Sequence, residues 1–68
     1  MNKNEVVRNV PYFAPYEIRI NFGNVRYTEI SETRENAFMR ANNLACMGYG
    51  VSVYKLGNSD KYRLIMKF

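Results

Sequence analysis

The chain reads as an α+β domain of ββαββ order, with one helix packed on a four-stranded, mainly antiparallel sheet. Three observations predict it. Apolar and polar residues alternate strictly over Ile18, Ile20 and Phe22, Gly23-Asn24 interrupts that alternation, and small apolar residues recur further on at helical spacing.

Residues 1–15 show no sustained period, and Pro11 and Pro15 bracket Tyr12-Phe13-Ala14, where each residue before a proline is pushed toward extended geometry. We assign them to an N-terminal arm and residues 16–68 to the two-layer domain. From Tyr16, side chains 18, 20 and 22 point one way and Glu17, Arg19 and Asn21 the other, as in a half-buried strand. Gly23 suits the first central position of a type II′ hairpin turn, so Phe22 faces Val25, Ile20 faces Tyr27 and Ile18 faces Glu29. Arg19, Asn21, Arg26 and Thr28 then share the opposite face.

Ser31 and Thr33 are candidate N-caps, and Glu32 and Glu35 place negative charge where a helix start favours it. The expected helix runs from about Glu32 to Met47. At about 100° per residue, Ala37, Ala41, Leu44, Ala45 and Gly48 form one narrow stripe with Phe38 at its edge, and the alanines allow close approach to a sheet. Gly48 is placed to end the helix in the left-handed region. Val51 to Leu56 and Lys61 to Phe68 read as two further strands joined by the four-residue turn Gly57-Asn58-Ser59-Asp60. Pairing Leu56 with Lys61 puts Leu64 and Met66 on the core side and leaves Ser52, Tyr54, Arg63, Ile65 and Lys67 outside. Strand orders 2-1-3-4 and 1-2-4-3 both keep all neighbours antiparallel.

Composition narrows the function. At 68 residues the chain has room for one small domain, in which folding buries only about 60 % of the unfolded surface. Without histidine, the familiar catalytic triads and Cys/His zinc sites cannot be assembled, and the single Cys46 has no disulfide partner within the chain. Cys46 lies near a helix C-terminus, where the dipole disfavours a thiolate, so it reads as a small apolar residue and not a nucleophile. Glu17 and Glu29 fall on opposite faces of the hairpin and do not form a carboxylate pair, and neither GxxxxGK[ST] nor GxGxxG occurs. A non-enzymatic protein is expected, with no cofactor, metal or small-molecule substrate. No apolar run approaches the roughly 18 residues of a membrane span, and Met1-Asn2-Lys3-Asn4-Glu5 lacks a signal peptide's apolar stretch, so the expectation is a cytoplasmic protein.

Three surfaces are candidates for binding. Met39 and Cys46, seven residues apart on the helix, lie within about 20° of each other opposite the alanine stripe, with Met47 on the flank. Tyr12 and Phe13 concentrate aromatic area in the arm. On the uncovered sheet face, Arg19, Arg26, Arg63 and Lys67 around Tyr54 combine phosphate-neutralising cations with a ring that can stack on a base. Ten Lys and Arg against six Asp and Glu give a net charge of +4 that favours acidic partners.

The run Asn36-Ala37-Phe38-Met39-Arg40-Ala41-Asn42-Asn43-Leu44-Ala45, followed by Gly48-Tyr49-Gly50-Val51-Ser52-Val53-Tyr54, resembles the helix-to-strand segment of many short phage and mobile-element proteins. That resemblance implies a small stand-alone protein that binds and blocks a host protein. A similar run occurs in peptidoglycan-binding SPOR domains, whose second helix-strand unit has no counterpart here. The leading expectation is therefore a non-catalytic binding protein, an inhibitor or modulator of a host protein, with homodimerisation as a further expectation. The alternative is RNA or single-stranded DNA binding through Arg19, Arg26, Tyr54, Arg63 and Lys67.

Overall fold

A computed structural model describes residues 14–68. The elements are β1 (Tyr16–Phe22), β2 (Val25–Ser31), α1 (Arg34–Cys46), β3 (Gly50–Leu56) and β4 (Tyr62–Lys67). The four strands form one antiparallel sheet in the order β2-β1-β3-β4, one of the two orders that the sequence allows. Tyr12 and Phe13, named above as arm anchors, lie outside the described residues.

The β1–β2 hairpin has the expected register, with Phe22 opposite Val25, Ile20 opposite Tyr27 and Ile18 opposite Glu29. Gly23 takes a φ of 62°, the left-handed value that the first central position of a tight turn requires. Helix α1 starts one residue after its cap, Thr33, whose hydroxyl accepts from the Asn36 amide at 3.1 Å. Glu32 consequently precedes the helix, and Glu35 alone supplies the acidic charge of the first turn. At the other end Gly48, at φ 98°, donates to the Ala45 carbonyl while Tyr49 donates to that of Leu44. These two bonds close the helix as a Schellman motif.

The core forms where the helix stripe meets the two central strands. Ala37, Ala41 and Leu44 pack on Tyr16, Ile18 and Ile20 of β1 and on Val51 and Val53 of β3, with Phe38, Ala45, Tyr49 and Ile65 around them. Ile18 and Val53 are the largest side chains fully removed from solvent. Burial of a side chain of that size contributes about 1.5–3 kcal/mol.

The β3–β4 hairpin departs from the expected register. Ser59 and Asp60 adopt left-handed φ values of 65° and 57°, and the Gly57 amide donates to the Lys61 carbonyl at 2.8 Å. This lengthens the loop by one residue, so Leu56 pairs with Tyr62 and not with Lys61. A one-residue slip moves every side chain to the other face. Leu64 thus lies opposite Tyr54 on the outer face, and Arg63 lies opposite Lys55 on the face that β1 shares with the helix. An irregularity between Val53 and Tyr54 then places an extra residue in β4, which returns Met66 to the core side opposite Val53 and packs Ile65 against the core. The outward placement expected of Arg63 and Ile65 and the inward placement expected of Leu64 are both corrected by this pair of compensating shifts.

Candidate functional site

One helix is about 10 Å across with its side chains, whereas four strands at nearly 5 Å spacing are considerably wider. Helix α1 therefore covers β1 and β3 and leaves an open flank on each side.

The flank toward β4 is the more apolar. Phe38 and Met39 from α1 face Met66 and Phe68 across a groove of about 880 Å³, with Arg34 and Glu35 at its rim. The rings of Phe38 and Phe68 meet edge to face at 5.9 Å between centroids, and the Arg34 guanidinium carbon stands 5.2 Å from the Phe38 centroid. These contacts hold the groove floor in place. Met39 is nonetheless 60 % exposed, and Met66 and Phe68 are each 40 % exposed. The adjoining β4 carries Arg63 and Lys67 and no acidic residue, and Lys61 precedes it.

Toward β2, Met47 and Tyr49 line a second, smaller groove with Ile20, Tyr27 and Leu44. It is bounded by Glu29 and Arg40. The Arg40 Nε and Nη2 donate to the two Glu29 carboxylate oxygens, each at 2.8 Å. That hydrogen bond, more than the partial burial that opposes it, holds the Glu29 carboxyl below its ordinary pKa and raises that of Arg40. Phe22 extends the apolar strip by an edge contact with Tyr49 at 5.1 Å.

The three helix residues expected to form one interface are thus divided. Met39 belongs to the β4-side groove and Met47 to the β2-side groove, while Cys46 is an exposed free thiol on the last turn of α1. Sequence reading did not find Phe38, Met66 and Phe68 as companions of Met39. Phe38 at the edge of the helical stripe was the available signal, whereas Met66 and Phe68 depend on the register of β4.

On the outer sheet face the structure places Arg19, Arg26, Tyr54 and Lys67, without Arg63. Arg19 is engaged within the chain. Its Nε and Nη2 donate to Glu17 Oε1 at 3.1 and 3.0 Å, and its guanidinium carbon sits 3.8 Å from the Tyr54 centroid. One face of that ring and much of the arginine's donor capacity are therefore occupied. Glu17 is itself only 5 % exposed, and the Tyr62 hydroxyl donates to the Ala14 carbonyl at 2.6 Å. Ile30 and Leu64 make this face more apolar than the sequence suggested.

Among the described residues, no three His, Cys, Asp or Glu side chains cluster as metal ligands, and no helix is long and apolar enough to cross a membrane. Comparison with known proteins found no matching family model, no matching curated protein and no matching solved structure.

Proposed function

We propose that the protein is a non-catalytic binding protein, an inhibitor or modulator that covers a surface of a host protein with the groove between α1 and β4. The supporting observation is the contiguous exposed apolar area of Met39, Met66 and Phe68 around the half-buried Phe38. Adjoining apolar side chains of this size left in water favour association, and methionine adapts to irregular partners. The partner that fits presents an apolar ridge to these side chains, and the chain's net charge of +4 favours one that is acidic overall. Binding acts by occlusion. The resemblance to short phage and mobile-element proteins supports the inhibitory form of this reading.

The test compares wild-type protein with a Met39→Asp variant, both verified as folded by circular dichroism and used as immobilised bait in host-cell extract. A partner retained by the wild type is expected to bind the variant at least about tenfold more weakly, because a buried charge replaces an apolar anchor. Capture unchanged by Met39→Asp would remove this groove from the interface. Titrations with mixed RNA and single-stranded DNA at two salt concentrations complete the test. Tight binding that falls steeply with salt would replace this reading by nucleic-acid binding through Arg19, Arg26, Tyr54 and Lys67.

A further inference from the structure

We infer that β2 is a self-recognition edge, through which two copies of the chain join by antiparallel pairing of Val25–Ser31 into one continuous sheet. The ladder parity identifies the free backbone groups. The Leu56 amide donates to the Pro15 carbonyl at 2.8 Å, so residues in step with Pro15, namely Glu17, Arg19 and Asn21, turn their backbone groups toward β3. Ile18, Ile20 and Phe22 then bond to β2 through Glu29, Tyr27 and Val25. Arg26, Thr28 and Ile30 are left with N–H and C=O groups pointing away from the sheet, and among the described residues no strand lies beyond them.

The two edges of the sheet differ in how they are guarded. Proteins blunt edges with lysines, bulges, prolines or inward-pointing charges. β4 has cations at Arg63 and Lys67, Lys61 just before it, and a register irregularity. A second β4 laid antiparallel on it would set cation against cation. β2 is seven residues long, regular in register against β1 and without lysine or proline, and its one inward charge, Glu29, is tied back to Arg40.

A two-fold axis at Thr28 makes the pairing self-complementary. Thr28 meets Thr28 of the second copy, Arg26 meets Ile30, and Tyr27 meets Glu29, so no like charges are opposed and every outward backbone group from Arg26 to Ile30 gains a partner. Val25, Tyr27 and Ile30, each about half exposed in the single chain, lie along the seam. Because each copy carries a net charge of +4, added salt strengthens this association, opposite to its effect on binding to an acidic partner.

Sedimentation equilibrium of the full chain over an about hundredfold concentration range tests the inference. A reversible dimer is expected. Thr28→Pro removes an outward-facing N–H without breaking a β1–β2 bond and should weaken the dimer at least about tenfold. Thr28→Lys and Thr28→Glu should each weaken it roughly three- to fivefold through like-charge opposition, and an equimolar mixture of the two should recover it as a heterodimer. These two variants decide the matter even if the proline variant does not fold. Met39→Asp, on the other flank, should dimerise as the wild type does, which separates this inference from the binding groove. Monomer at every concentration, or a dimer indifferent to both Thr28→Lys and Thr28→Glu, would overturn it.

Discussion

Glu29 occupies an inner-face position on β2, in step with Val25 and Tyr27, and Arg40 meets both of its oxygens from the helix. The hydrogen bond favours the ionised form in the folded chain, so the folded pKa lies below the unfolded one. A carboxylate lowered in this way contributes stability that is present above the ordinary carboxylate range and is lost as pH falls through the folded value. Glu29→Gln is therefore expected to be less stable than the wild type at neutral pH, by a small amount because the pair is exposed to solvent, and equally stable in acid. Denaturant midpoints of the two proteins as a function of pH measure this, and a difference independent of pH would contradict it. The pair was not legible in the sequence. Its members are eleven residues apart, and only the helix's path over the sheet brings them together.

Among the elements, the ones that local chemistry determines were readable. A two-residue turn with glycine at its first central position leaves β1 and β2 one register, and three alanines in step leave α1 one face for the sheet. The β3–β4 hairpin was not readable in the same way, because its loop length depends on left-handed conformations at Ser59 and Asp60, residues that also populate ordinary turns. The close approach of α1 gives an element-scale prediction. Ala41 is fully buried against the sheet, so Ala41→Leu should push the helix outward and destabilise the fold by about 1–3 kcal/mol. The same exchange at exposed Asn43 should stay within about 0.5 kcal/mol. Urea unfolding of both variants is the measurement, and equal effects would mean that the alanine stripe does not set the helix–sheet spacing.

At the scale of the whole fold, the decisive relation among the described residues is one α-helix to four strands. The helix seals the central pair and leaves an apolar groove beside β4 and an unguarded edge at β2. The spacing of Met39 and Cys46 opposite the alanine stripe pointed to the far side of the helix, whereas the structure groups Met39 with β4. The sequence places Met66 on the core side, where two register shifts that compensate each other return it opposite Val53 and not the expected Val51, and its meeting with Met39 and Phe68 in one groove was not legible. The most direct measurement of the groove's role places a photoreactive amino acid at Met39 and, in a separate protein, at Asn58 in the distant β3–β4 loop, with crosslinking in host cells. A discrete protein adduct is expected from position 39 and not from position 58. Equal crosslinking from the two positions, or adducts formed only with nucleic acid, would contradict the assignment of this groove as a protein-binding surface.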